Sequence, residues 1–320
     1  MKKFILSSAI IAIGCVVGGL AHAQDKIHTI TVPFGAGGST DLTARIVAEK
    51  IIPVLKTSVV VENKPGAGTI LAATAVKDQA ADGTKMLLTV TATAAIVPYI
   101  YEKVGYNFTT DYTPVAQISK TQVALIVPEK SPFKTLGDLI KHGKENKNSL
   151  NVGISSVGTM SHLTLYRLGK SVGMETTAVP FRGGSTVLND LLAGHIDAAV
   201  DSVGEYIESH QSKKVRILAV FGDGRVPNIP EVPNASELGV QGIRAESWMG
   251  VFVPSKTSPA VVKQLQDAIA VAAKDPATKS RLEKFAIQTE FKDSGTFATS
   301  IQKEIAYWSA IVRESGIKPQ

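Results

Sequence analysis

Val32-Pro33-Phe34-Gly35-Ala36-Gly37-Gly38-Ser39-Thr40-Asp41 is the stretch whose reading decides the fold. It follows the β-rich run His28 to Val32 and precedes a segment with Leu42, Ile46, Val47, Ile51 and Leu55 near one helical face. Strand end, glycine turn and helix start in that order form the first half of a βαβ unit. Glycines let main-chain N–H groups approach a bound group, and the helix N-terminus that follows favours negative charge. Phe34, Gly35, Ala36, Gly37, Gly38, Ser39 and Asp41 are therefore candidate ligand-binding residues. The plainer reading is a helix start with Thr40 or Asp41 as cap or first-turn acid, and this turn alone leaves both open.

The same grammar continues outward. Ser58 to Val61 reads as a strand, Asn63 to Gly68 as a loop, Ile70 to Lys77 as an alanine-rich helix and Met86 to Val90 as a third strand. Thr91 and Thr93 follow that strand and join the candidate set, because ligands in open α/β sheets sit at strand ends. A second series runs from Val123 to Val200: strands at Val123 to Val127, Leu150 to Ile154, Thr177 to Pro180 and Ala198 to Val200 alternate with helices. Ile217 to Phe221 reads as another strand, Asp223 to Gly239 as a surface excursion, and the chain after Val253 as mostly helical. The expected fold is α/β, two doubly wound lobes of the periplasmic-binding-protein or Venus-flytrap kind. Crossing strands near Ile118 to Leu125 and Ala245 to Val251 would form the hinge. The expected division is residues 24–122 with 247–320 for lobe 1 and 123–246 for lobe 2.

The second series carries its own glycine turn, Ser155-Ser156-Val157-Gly158-Thr159-Met160-Ser161, again after a strand and before a helix. Ser155, Ser156, Gly158, Thr159 and Ser161 are candidates because small hydroxyls and amides can hold a carboxylate. A third turn holds Arg182 and Gly183, and Asp201 closes the next strand. Arg182 fits a ligand acid or a protein acid such as Asp201 equally well, and Asp201 could instead fix a loop.

Several chemistries are excluded at named positions. The first turn lacks the last glycine of the dinucleotide fingerprint, and no Gly-Lys-Ser/Thr ends a phosphate loop. Val157 stands where a nucleophile elbow needs its second glycine. The six histidines are dispersed, with no paired spacing, so neither a metal site nor a cofactor is expected. An exported serine hydrolase using Ser155 or Ser161 with His162 remains a rival reading.

Lys2 and Lys3, the apolar run Phe4 to Leu20 and Ala21-His22-Ala23 form a signal peptide cleaved after Ala23. The competing readings are a membrane anchor and lipoprotein processing at Cys15. The glycines of the apolar run and the small residues after it disfavour the first, and the apolar residues after Cys15 disfavour the second. Cleavage removes Lys2, Lys3 and the sole cysteine, lowers the formal charge from +6 to +4, and leaves a chain without disulfides in an oxidising compartment. No later apolar run is long enough to span a bilayer. Scattered lysines and arginines argue against nucleic acid and for a small anionic solute or a membrane partner.

Val32-Pro33-Phe34 with Gly37-Gly38 and Asp41, Val61-Glu62-Asn63-Lys64-Pro65-Gly66-Ala67-Gly68, Val179-Pro180-Phe181-Arg182-Gly183-Gly184 and Asp201-Ser202 occur in one order along the mature chain. In that combination the sequence resembles the Bug-type solute receptors, the extracytoplasmic binding components of tripartite tricarboxylate transporters. The resemblance implies a non-enzymatic receptor, and a monomer is expected. It also implies a fold that closes on a small carboxylated solute, gripped by the turns at Phe34 to Ser39 and Ser155 to Ser161, and hands it to a membrane permease. A dicarboxylate would use both turns. A periplasmic sensor built on the same fold is the alternative. Ala36 stands where proline is common, Thr69 where a second glycine often follows, and Phe181 where tyrosine is frequent.

Overall fold

The structure is a computed structural model that describes residues 27–181 and 183–317. The signal-peptide reading and Arg182 lie outside the described residues.

The first series folds as β1 (His28–Val32), α1 (Ser39–Leu55), β2 (Val59–Asn63), α2 (Ile70–Lys77) and β3 (Lys85–Val90), then three short helices α3 (Thr91–Ala95), α4 (Val97–Ile100) and α5 (Phe108–Asp111). The long strand β4 (Tyr112–Pro128) leads into α6 (Leu136–Glu145), β5 (Asn151–Ile154), α7 (Met160–Val172), β6 (Thr177–Pro180), α8 (Gly184–Ala193), β7 (Ala198–Ser202), α9 (Val203–Gln211) and β8 (Val215–Val220). The chain returns through β9 (Glu246–Pro254) and ends with α10 (Pro259–Lys274), α11 (Pro276–Glu283), β10 (Gln288–Lys292) and α12 (Ser294–Ser315).

Two sheets share β4. In one, β2, β1 and β3 are parallel, and β9, the first half of β4 and β10 extend the sheet antiparallel. In the other, β6, β5 and β7 are parallel, with the second half of β4 and then β8 added antiparallel. The switch falls between Gln122, which pairs with Glu246, and Val123, which pairs with Ser202. There the Val123 amide donates to the Ala245 carbonyl, and the Ala245 amide to that of Phe221. Two α/β lobes joined by crossing strands is the architecture expected from the strand and glycine-turn pattern. The antiparallel additions and β10 are not legible in it.

Each parallel trio is covered on both faces, as βαβ connections require. Ile46, Val47 and Ile51 of α1 pack with Leu265 and Ile269 of α10 on one face of the first sheet, and Trp248, Phe252 and Phe297 fill the other. Leu163 and Leu168 of α7 cover the second sheet together with Trp308, Ile311 and Val312 of α12. The last helix therefore packs on both sheets. The excursion after Asp223 is also partly core, with Val226, Ile229 and Val232 buried.

Candidate ligand-binding cleft

The first turn ends in an α1 N-terminus that no side chain caps. Gly38 is the N-cap residue, and it has no side-chain acceptor to offer. The first-turn amides of α1 are thereby free of local partners and point to where an anion is favoured. Gly37 has a φ of 88°, in the left-handed region that glycine tolerates at no cost, and this aims the turn. Asp41 holds that geometry. Its Oδ2 accepts the Gly37 amide at 2.9 Å and Arg45 Nε at 2.9 Å, while its Oδ1 accepts Asn63 Nδ2 at 2.9 Å. Burial pushes the Asp41 pKa up, but the Arg45, Gly37 and Asn63 donors outweigh it and hold the acid below the usual aspartate value.

The second turn is built on hydroxyls. Ser155 follows β5, and its Oγ lies 2.8 Å from that of Ser161 in the first turn of α7. Thr159 caps α7 and also donates to the Ser156 carbonyl. Ser161 donates to Asp201 Oδ1 at 3.4 Å, and the Ser202 amide donates to the same oxygen at 2.9 Å. Asp201 is 5% exposed, its Oδ2 lies against Gly184, and the buried Tyr206 hydroxyl is close enough to interact with its carboxyl group. Burial, reinforced by the nearby Glu205 charge and opposed by the Ser202 amide, pushes the Asp201 pKa up to about 7.

Both turns open onto one cavity of about 340 Å³. Of the candidates, Phe34, Gly38, Ser39, Ser155, Thr159, Ser161 and Asp201 line it. Gly37 lines a contiguous outer cleft of about 310 Å³ that shares Gly38 and Ser39. Gly35, Ala36, Asp41, Thr91, Thr93, Ser156, Gly158 and Gly183 are not part of the inner lining. Thr91 Oγ1 accepts the Trp248 amide at 3.0 Å and Thr93 Oγ1 meets Thr89 at 2.6 Å, so these two brace strand ends. The Gly183 amide donates to the Ser155 carbonyl, tying the third turn to the second.

The pattern missed the contribution of the crossing strands. Thr121 and Gln122 of β4, Ser247 and Met249 of β9, Ser202 at the end of β7 and Glu205 of α9 also line the cavity. The available signal was the run of four polar residues Ser119-Lys120-Thr121-Gln122 inside a mostly apolar strand. The described inner lining contains two acids and no lysine or arginine, so anion binding there relies on helix termini, amides and hydroxyls.

A larger cavity of about 450 Å³ lies beside α7 and β6, lined by His162, Tyr166 and Lys170. It brings no pair of glycine turns together, so the cleft is the stronger candidate. The hydrolase reading fails on geometry and family alike. His162 Nδ1 accepts the Gly158 amide at 3.1 Å and lines that other cavity, while Ser155 and Ser161 bond each other. Among the described residues no cluster of three or more potential metal ligands occurs, and no helix is long and apolar enough to cross a membrane.

Residues 43–317 match the family model "Tripartite tricarboxylate transporter family receptor". A "UPF0065 protein in tcbD-tcbE intergenic region" of Pseudomonas sp. strain P51 is 32% identical over 287 residues, 89% of this chain and 85% of that one. The periplasmic binding protein BugD superposes with a TM-score of 0.80 at 27% identity, covering 92% of this chain and 99% of its own. R. palustris Rpa4515 with adipate superposes at 0.83 with 28% identity, covering 92% and 98%. A family match over most of the chain, on a two-lobed fold shared with periplasmic binding proteins, places this chain in the tripartite tricarboxylate transporter receptor family, among Bug-type extracytoplasmic receptors that bind solutes and are not enzymes.

Proposed function

We propose that the protein captures a small carboxylated organic acid, with a dicarboxylate preferred, and delivers it to a tripartite tricarboxylate-type permease. The observation that carries this reading is the convergence of two glycine-turn helix starts, one from each sheet, on a single cavity. A carboxylate on each turn would bridge the lobes, and only an acid that binds the closed form more tightly than the open form can shift the lobes toward closure. The adipate found with Rpa4515 is a dicarboxylate of the same class. Lobe 1 is proposed as residues 24–122 and 247–320 and lobe 2 as 123–246, with α12 spanning both in its packing. The mature protein, cleaved after Ala23, acts as a periplasmic monomer. Phe34, Gly37, Gly38, Ser39, Ser155, Thr159, Ser161 and Asp201 form its grip, with Gly35, Ala36, Asp41, Thr91, Thr93, Ser156, Gly158 and Gly183 as supports. Arg182, in the third turn, is proposed as a contact to ligand acid.

A thermal-shift panel of mono- and dicarboxylic acids, followed by calorimetry, tests the reading. A true ligand at a hundredfold excess over its Kd stabilises the native state by about 2.7 kcal/mol. A broad panel that moves the unfolding transition nowhere overturns it. Loss of uptake of the bound acid on deletion of this chain tests the delivery step.

A further inference from the structure

The second sheet is held to the first from both of its faces, and the two grips are unequal. On the face covered by α7, α12 contributes the buried Trp308, Ile311 and Val312. On the face covered by α8 and α9, the grip comes from residues 284–287, the connector between α11 and β10. Both ends of that connector belong to the first sheet: β10 pairs with Ser119 and Lys120 of β4, and Arg281 of α11 reaches Glu49 of α1 at 2.7 Å. Leu282 and Ile287 are buried in the first-sheet core. Ala286, the neighbour of Ile287 in the chain, is buried instead with Tyr206 and Ile207 of α9. Adjacent residues thus enter the cores of two different sheets.

The connector is fitted closely to its seat. Ala286 has a φ of 54°, a left-handed conformation that costs free energy for a residue with a Cβ and that its surroundings must offset. Gly204, in the first turn of α9, needs no such conformation, yet a Cβ there would lie 2.7 Å from the Phe285 carbonyl oxygen. Asn228 Nδ2, from the excursion after β8, donates to the Glu283 carbonyl at 2.7 Å. Lys284, Phe285 and Ile287 also line the outer cleft together with Gly37, Gly38 and Ser39 of the first turn.

Magnitude decides which grip gives. Parting α12 from the second sheet exposes an indole and two aliphatic side chains, whereas freeing the connector exposes one methyl and relaxes a strained backbone. We propose that residues 284–287 are a clasp: docked on α9 they hold the two glycine turns over one cavity, and released they let the sheets part and the cleft open. The crossing strands and α12 stay joined in both arrangements. This inference rests on the reading that an acid bridges the two turns, and it adds what sets the population of the bridging arrangement. An acid that needs both turns binds only clasped molecules, so its apparent Kd varies inversely with the clasped fraction.

Gly204→Ala tests the clasp. Alanine is the better helix former, so α9 itself is not weakened, but the added methyl meets the Phe285 carbonyl and displaces the connector. Adipate, or the acid that the panel identifies, is expected to bind about tenfold more weakly, as it does when a tenth of the molecules stay clasped. The acid-free variant should also show a larger radius of gyration in small-angle X-ray scattering. With Gly204 intact, spin labels at Lys284→Cys and Glu208→Cys report the same contact in the mature protein, which lacks Cys15 and has no other cysteine. Two label distances are expected without acid, and saturating acid should leave the shorter one. An unchanged Kd and radius for a folded Gly204→Ala overturns the inference, and so does a single short distance at every acid concentration. If no acid binds, the receptor reading fails, and the acid-free distances still decide the clasp: two populations support it and one overturns it. Those distances also decide it if Gly204→Ala does not fold.

Discussion

Asp41 and Gly37 act as one unit. The glycine supplies a backbone conformation that other residues rarely adopt, and the aspartate fixes it by accepting the Gly37 amide while Arg45 and Asn63 fill its remaining positions. Asp41 is 2% exposed, and its pKa lies below the ordinary aspartate value. A depressed folded pKa means that its stabilising contribution is complete above about pH 4, the unfolded value, and is lost as pH falls through the folded one. Asp41→Ala is expected to cost about 1–3 kcal/mol by stranding buried donors, and to weaken acid binding by loosening the turn. Urea denaturation of both proteins from about pH 5 to about pH 2 should show the difference shrinking at the acid end. An unchanged difference across that range would rule out the role given to the ionised carboxylate. Sequence placed Asp41 among the ligand contacts and its support role as alternatives. Choosing between roles required seeing that both its oxygens are occupied within the turn.

Between elements, the second turn is held by a short helix that follows β3 of the first sheet. Gly158 has a φ of 73°, and a Cβ built on it would lie 2.6 Å from the Ile100 side chain at the end of α4. Ile100 belongs to the same buried cluster as Leu163 and Val200, so helices that follow β3 pack into the core of the second sheet. Gly158→Ala should therefore weaken acid binding, because both strain and the Ile100 contact oppose the closed arrangement. Ile100→Val, which shortens the opposing side chain, should recover part of the loss. A double-mutant cycle on Kd and on unfolding free energy measures the coupling, expected in the range of about 0.5–3 kcal/mol for contacting residues. Strictly additive effects would show that the contact does not govern closure. The glycine and its helix were legible from the strand-turn-helix pattern. Its partner was not, because Ile100 is 58 residues away in a segment with no periodic signal of its own.

At the scale of the whole molecule, β4 and β9 separate two environments by strand alternation. Ser247 and Met249 face the cavity between the two glycine turns, whereas Glu246 and Trp248 between and before them face the reverse side. On that side Lys120 meets Glu246 at 3.1 Å, and Arg244 reaches Asp223 at 3.0 Å and Glu304 at 2.7 Å. Trp308 Nε1 donates to the second Glu304 oxygen at 2.9 Å. These contacts tie the crossing strands, the excursion after β8 and the last helix together. Arg244→Ala leaves buried Glu304 with the indole alone, and a cost of about 1–3 kcal/mol is expected. The denaturation midpoint should move far more than the Kd for the acid. The reverse outcome would assign the network to ligand binding.

Local chemistry determined much of this protein before any tertiary contact: glycine turns after apolar strands, helix faces at 3.6-residue spacing and an ordered set of motifs suffice for two α/β lobes and a receptor family. These features are legible because each depends on residues a few positions apart. The tertiary structure alone decided that β4 runs unbroken through both sheets, that β10 adds to one of them, and that polar residues of the crossing strands complete the cavity. It also decided that Asp201 is buried beside the second turn, in reach of Ser161. Those outcomes depend on register and packing between segments far apart in the chain, and local periodicity carries no record of which surfaces will meet.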